Sequence, residues 1–177
     1  MSEPDPELDF WSFVDLAVAR AGATGDAVEP DAMRLVIGLH RVASMLVYDL
    51  ESSVHRPSGW SWAGFRLLFA LWVAGPQDAG TAAHLSGMSR PAVSALVRTL
   101  ERDGLLARTS GQRDRRVVLL TLTEAGRDAL VEAFHAHHER ERLWASALSG
   151  AEQRELSRLL GKLSAGVEGR RIRRRLS

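Results

Sequence analysis

Residues 81–123 read TAAHLSGMSRPAVSALVRTLERDGLLARTSGQRDRRVVLLTLT. Two short segments of helical character, joined at Ser86-Gly87, open this stretch, and two strand-like segments around an arginine-rich turn close it. Ser89 stands where a helix N-cap is wanted, and Pro91 fits the first turn, where no intrahelical N–H is needed. At about 100° per residue, Val93, Leu96 and Leu100 share one face of that helix. Pro91, Ser94, Arg98 and Arg102 share the opposite face, with Arg90 at its edge. Gly104 is placed to end the helix in a left-handed turn. Leu105–Thr109 and Val117–Leu122 then read as two strands, with Ser110–Arg116 between them. The order helix, turn, helix, hairpin is that of a winged helix-turn-helix, in which one helix enters the major groove of DNA and the hairpin lies beside it.

The chemistry of the outward stripe suits a DNA surface. Ser94 and Ala95 are small and allow close approach to a duplex. Arg90 and Arg98 can reach phosphates or guanine edges, where a bidentate contact discriminates by roughly 1–3 kcal/mol. Arg113, Arg115 and Arg116 cluster at the hairpin tip, and an arginine in a narrow minor groove meets an enhanced negative potential. Asp114, an acid among arginines, is expected to hold one of them in a fixed pose rather than to touch DNA. The competing reading is a solvated helix face followed by a basic turn. Each feature alone leaves that reading open; the full ordered set speaks against it.

Charge is distributed in the same sense. The net charge of the 177 residues is only +1. Residues 1–31 carry eight acids against one arginine, or −7, whereas residues 81–122 carry seven arginines against three acids, or +4. Five of the last eight residues are arginine. Such asymmetry concentrates positive field on part of the surface. Lys162 is the only lysine, and there is no cysteine, which excludes disulfides, thiolate metal sites and cysteine-based redox sensing. A hydrophobic content of 45% and a charged content of 25% are ordinary for a globular protein. The longest apolar run, Leu67–Ala74, is too short to cross a bilayer. The acidic start MSEPDPELDF lacks the features of a signal peptide. A cytoplasmic protein without a membrane partner is expected.

Outward from the opening stretch, the chain reads as helices. Phe10, Phe13, Val14, Ala17 and Val18 recur at helical spacing within Leu8–Ala21. Gly22–Pro30 reads as a loop. Asp31 is placed to cap a long helix to about His55, with Met33, Val36, Ile37, Ser44, Val47 and Leu50 on a broad face. After Pro57-Ser58-Gly59, a helix opens at Trp60 or Ser61 and runs to about Val73; being apolar on most sides, it should be the buried strut of the fold. Thr123 is placed to cap a helix to about Leu148, with Leu130, Phe134, His138 and Leu143 as its buried side. A last helix over Ala151–Ala165 aligns Leu156, Leu159, Leu160 and Leu163 on one stripe. Apolar faces at both ends of the chain, with nothing else to cover them, point to a partner subunit. The expected architecture is therefore mainly α with a small β-hairpin wing. It divides into N-terminal dimerisation helices over 1–57, a winged helix-turn-helix over 58–122, C-terminal dimerisation helices over 123–169 and a basic tail over 170–177.

The segments SRPAVSALVRTLERDGLLART (89–109) and DRRVVLLTLTEAGR (114–127) resemble the recognition helix, D-x-R wing and L-T-x-x-G helix entry of the MarR (multiple antibiotic resistance regulator) family of bacterial transcription factors. The resemblance implies an obligate homodimer with interleaved N- and C-terminal helices and two winged domains on a pseudo-palindromic double-stranded DNA site. It makes Arg116 the wing arginine of the minor groove and Asp114 the acid that orients it. Ser89, Arg90, Pro91, Ser94 and Arg98 fall on the groove-facing side of the recognition helix. It also implies a repressor released by a small ligand bound between the dimer helices and the winged domain. That zone would be lined by His40, Ser44, Tyr48, Trp60, Trp62, Phe65, Arg66, Phe69 and Trp72, a set suited to a planar or anionic organic molecule. The same aromatics also read as core filling of a buried helix. Trp11 resembles a feature of the urate-responsive branch, but Arg66 stands where that branch carries an acid.

Other function classes find less support. No G-x-S-x-G elbow, P-loop, dinucleotide fingerprint or catalytic cysteine is present, so neither an enzyme nor a bound cofactor is expected. A dimeric adaptor that keeps the fold without binding DNA is disfavoured by the arginine-bearing stripe and wing. A regulator of the same fold without a small-molecule effector stays open. Glu132, His135, His137 and His138 invite a metal reading, but no second helix supplies matching acids. A solvated, ion-paired face with Glu139 and Arg142 is the expectation there.

Overall fold

The computed structural model describes residues 9–23, 28–110 and 117–166. The chain forms two compact units, one up to Tyr48 and one from Asp49 onward.

The first unit holds α1 (Phe10–Gly22) and most of α2 (Pro30–Leu50). Asp9 caps α1 by accepting from the Ser12 N–H at 2.7 Å. Val14 and Val18 are the buried residues of α1. The Trp11 indole lies so close to Gly38 that a Cβ there would sit 3.2 Å from it, and Arg34 pairs with Asp15 at 2.9 Å. The expected apolar faces exist, but little covers them. Trp11, Phe13 and Val36 are more than half exposed. Asp31 falls in the first turn of α2 rather than at its cap, because the Met33 N–H is already taken by the Glu29 carbonyl.

In the second unit, α2 ends in a single π-helical turn, Glu51–His55. Then follow α3 (Trp62–Ala74), α4 (Ala79–Ser86), α5 (Arg90–Arg102), β1 (Leu106–Ser110), β2 (Val118–Leu122), α6 (Glu124–Ala145) and α7 (Gly150–Ala165). This is the expected mainly α architecture with a two-stranded antiparallel wing. Its register pairs Leu106 with Leu122 and Ser110 with Val118. Gln77 adds a short third rung by exchanging backbone hydrogen bonds with Leu120 at 2.8 and 3.2 Å. The sequence holds no periodic signal for a one-residue bridge.

Helix α3 is the expected strut. Phe65, Leu67, Leu68 and Leu71 are buried in the core with Val93, Val97 and Leu100 of α5, Leu106 and Leu120 of the strands, and Leu130 of α6. Each fully buried leucine stabilises the fold by about 1.5–3 kcal/mol. Val73, 66% exposed, marks one side that the core does not cover. Asp49 anchors the start of the unit to α6. It accepts from Arg140 Nε at 3.0 Å, from Trp144 Nε1 at 2.8 Å and from Ser53 Oγ at 3.1 Å, and the Arg140 guanidinium first among these holds its carboxyl below the usual range.

Helix α6 departs from expectation in its inward face. Gly126, Leu130, Ala133 and His137 are buried, Phe134 is half-buried, and His138 and Leu143 are exposed. The face is turned by about one residue because Gly126 fixes where α6 crosses the chain at Leu105. On α7, Ser149 and Glu152 form a reciprocal capping box. Every leucine of its stripe (156, 159, 160 and 163) is 41–50% exposed. Among the described residues no helix is long and apolar enough to cross a membrane.

Candidate nucleic-acid interface and ligand cavity

The turn between α4 and α5 is built from local chemistry. Asp78 caps α4, accepting from the Gly80 and Thr81 N–H groups at 2.8 and 3.0 Å. Gly87 ends it in the left-handed region at φ 66°, a conformation open to glycine without steric cost. Two residues later Ser89 caps α5 by accepting from Ala92 N–H at 3.4 Å. Gly104 (φ 72°) closes α5 and turns the chain into β1. Val93 and Val97 are almost wholly buried and Leu100 is buried with them. Leu96, expected on that face, is only half-buried, and Val97 takes the central place.

The opposite face of α5 is open. Arg90, Pro91, Ser94 and Arg98 are exposed, and Ser89 is half-buried at the cap. The arginines fall into two groups. Arg102 is tied to Asp103 at 3.1 Å and Arg108 of β1 to Glu101 at 3.2 Å. Arg90 and Arg98 have no carboxylate partner among the described residues. Two unneutralised guanidiniums thus flank the small residues Pro91 and Ser94, one near the start of the helix and one two turns on. Arg113, Asp114, Arg115 and Arg116, expected to act at the wing tip, lie outside the described residues.

Between α3, α4 and α6 lies a cavity of about 330 Å³, the size of a small-ligand pocket. Trp62, Phe65, Phe69, Leu85 and Phe134 supply apolar walls, and Arg66, Ser86, His137 and Glu141 the polar ones. The structure therefore brings together four of the expected ligand residues, Trp62, Phe65, Arg66 and Phe69. His40, Ser44 and Tyr48 are exposed positions of α2 and are not among its lining. Trp60 is half-buried against the core. The Trp72 ring packs at a 42° tilt against Phe134 and Phe69, with ring centres 5.7 and 5.8 Å apart.

The polar lining is only partly satisfied. The Arg66 guanidinium sits 5.8 Å from the centre of the Trp62 ring, and its Nε is buried without a hydrogen-bond partner. Burial lowers its pKa, yet a guanidinium stays charged. His137 and His138 both bond Glu141, at 3.0 and 3.1 Å. His137 therefore does not belong to the solvated face expected of the histidine cluster; it points inward, while Glu139 and Arg142 do pair at 3.1 Å. Among the described residues no group of three or more His, Cys, Asp or Glu could hold a metal ion.

Behind the cavity wall sits His55, fully buried, with neither ring nitrogen hydrogen-bonded. Its ring centre lies 4.5 Å from that of Phe65 and 5.4 Å from that of His137, both pairs tilted by about 35°. Burial, reinforced by His137, pushes its pKa from 6.5 down to about 4. Burial also lowers His137, with Glu141 opposing. Nothing in the spacing of His55 and His137 announces their meeting, because 82 residues separate them.

Comparison with known proteins agrees with this geometry. The MarR family model matches residues 60–118, from the entry of α3 to the start of β2. The uncharacterized HTH-type transcriptional regulator YwaE of Bacillus subtilis (strain 168) is 30% identical over 139 residues, covering 78% of this chain and 81% of that protein. A probable transcriptional regulator from Pseudomonas aeruginosa superposes with a TM-score of 0.67 at 25% identity, covering 73% of this chain and 96% of that one. BpsR of Bordetella bronchiseptica, whose DNA binding is regulated by 6-hydroxynicotinic acid, shares the fold with a TM-score of 0.67 at 24% identity. That match covers 74% of this chain and 98% of BpsR.

Proposed function

The chain belongs to the MarR family, whose members are transcription regulators rather than enzymes, and from this we propose that it is a cytoplasmic, homodimeric repressor released from its DNA site by a small aromatic or anionic ligand. The observation that carries the DNA reading is the division of α5. Its Val93, Val97 and Leu100 are spent on the core, which leaves Arg90 and Arg98 outward and unneutralised. On this reading Ser89, Arg90, Pro91, Ser94 and Arg98 face the major groove of each half-site, and Arg113, Arg115 and Arg116, with Asp114 steadying Arg116, work at the wing. The N- and C-terminal helices pair two copies. In favour of that pairing stand the exposed apolar side chains Trp11, Phe13 and Val36 at one end and the α7 leucines at the other, an extent of uncovered apolar surface that a monomer rarely tolerates.

The test is binding to a duplex selected by the protein itself from a random pool, followed by fluorescence anisotropy. Arg98→Ala and Arg116→Ala should each weaken binding about tenfold or more without changing the sedimentation of the protein. Affinity of the native protein should fall steeply with salt as phosphate contacts release counterions. Undiminished affinity in both variants, or a flat salt response, would overturn the DNA-reading assignment.

For the effector, the cavity's own chemistry is the argument. Flat aromatic walls accept a ring, and the buried, unpartnered Nε of Arg66 favours a negatively charged group beside it, since an unsatisfied buried donor is costly. The regulation of BpsR by 6-hydroxynicotinic acid concerns a protein alike in fold and is consistent with a planar acid. Titration with a panel of monocyclic aromatic carboxylates should give saturable quenching of tryptophan fluorescence. Arg66→Met should weaken that response about tenfold. Panel-wide absence of saturable quenching would remove the effector from the proposal and leave a regulator without one.

A further inference from the structure

Gly80 is in the first turn of α4, capped by Asp78. Its φ is not positive, so the backbone does not demand glycine, and within a helix glycine is the least favourable residue after proline. A side chain is absent here for another reason. A Cβ on Gly80 would lie 3.0 Å from Nη2 and 3.2 Å from Cζ of Arg90, and 3.1 Å from Oδ1 of Asp78. The guanidinium of Arg90, which leaves from the first residue of α5, thus rests against the bare backbone at the start of α4. Among the described residues Arg90 makes no ion pair that could hold it instead.

We propose that Gly80 is a positioning residue for DNA recognition: its missing side chain is the seat that sets where the Arg90 guanidinium stands when the groove is entered. The inference rests on the assignment of Arg90 to the DNA-facing surface. A free arginine side chain explores many rotamers, and ordering it on binding carries an entropic cost. A seat that restricts those rotamers beforehand reduces that cost and fixes the reach of the fork. A methyl group at position 80 would meet no backbone: it would press on the far end of the flexible Arg90 side chain and on the Asp78 carboxylate that caps α4. Asp78 need give only a few tenths of an ångström within its cap, while the guanidinium is displaced from its place. The variant is expected to fold well and bind badly.

The experiment is a double-mutant cycle on the full-length protein, read by anisotropy with the selected duplex and by thermal melting. Arg90→Ala should weaken binding about tenfold or more. Gly80→Ala should weaken it roughly fivefold while leaving the melting temperature about unchanged, the helix preference of alanine offsetting the pressure on the Asp78 cap. The double variant should bind like Arg90→Ala alone, because the seat has nothing left to hold. Native affinity in Gly80→Ala, or a double variant that shows the product of both losses, overturns the role of Gly80. So does a binding loss accompanied by a lowered melting temperature. Unchanged affinity in Arg90→Ala instead shows that the underlying DNA assignment of Arg90 is at fault, and the inference falls with it.

Discussion

Gly126→Ala should cost the protein roughly 3 kcal/mol of stability or prevent it from folding. A Cβ at this position would overlap the Leu105 carbonyl oxygen and stand only 2.8 Å from the carbonyl carbon. The obstacle is backbone on both sides, so no rotamer change relieves it. Leu105 itself cannot retreat. Its N–H donates to the Leu100 carbonyl at 2.9 Å, and its carbonyl accepts from Thr123 N–H at 3.2 Å. Thr123, the α6 cap, also donates its hydroxyl to the Gly104 carbonyl at 2.7 Å. Relief would require α6 to lift from the α5–β1 turn, breaking this latch and opening the core around Leu130. Urea unfolding at fixed protein concentration, followed by circular dichroism, measures the loss. Gly161→Ala on α7, where a Cβ meets nothing within 4 Å, is the control and should gain up to about 1 kcal/mol. Equal midpoints for the native protein and Gly126→Ala would sink the close-approach argument.

The second large effect is a loss of stability in mild acid. His55 titrates near 6.5 when unfolded and at about 4 when folded. Its folded-state pKa is depressed, so the unfolded chain takes up the proton first. The stability due to neutral His55 is fully present above pH 6.5 and is lost as pH falls toward 4. The total is roughly 3 kcal/mol, at about 1.4 kcal/mol per tenfold change in proton binding. His137 acts in the same direction. Among the described residues the charged and titratable groups beside the pair are Glu141 and His138 on the side of His137 and Arg66, which shares the cavity lining with His137 and Glu141; the aromatic faces of Phe65 and Trp62 complete the surroundings. Carboxylates with depressed pKa values, Asp49 and Asp78 from 3.8 and Glu152 and Glu155 from 4.5, lose their contribution from about pH 5 downward. The interval between pH 6.5 and about 5 therefore isolates the histidines. His55→Phe, which keeps an aromatic ring in the stack, should flatten the stability profile over that interval. An unchanged slope in this variant would show that His55 is not the titrating group.

Both effects trace to contacts of very different legibility. The caps at Ser61, Ser89, Thr123 and Ser149 are each made with a backbone N–H three residues on, and each was open to reading because cap and partner lie within one turn. The same holds for the left-handed glycines 87 and 104 and for the buried face of α5. The outward basic stripe follows from that face by elimination, since a residue opposite Val93 and Val97 has nowhere else to point. The inward face of α6 lies about one residue from where its apolar spacing alone would put it. Its phase is fixed by the contact of Gly126 with Leu105, which periodicity within α6 does not contain.

The candidate cavity shows the limit more sharply. Its α3 wall was visible as an aromatic-rich helix, but Leu85, Ser86, Phe134, His137 and Glu141 come from elements whose own patterns say nothing of a shared pocket. His55 is the extreme case. Its burial contradicts its ordinary preference for solvent, and it is tolerated because Phe65, Trp62 and His137 converge on it from α3 and α6. Capping hydrogen bonds and side-chain periodicity act over three or four residues, so the order of helices, the turns and the outward arginines of α5 are properties of the linear chain, and the alternation of the two wing strands is legible beside them. Excluded volume and desolvation act between whatever residues the packed helices bring together. The seat of Arg90 at Gly80, the latch at Gly126 and the neutral histidine at 55 came into being only when those helices met.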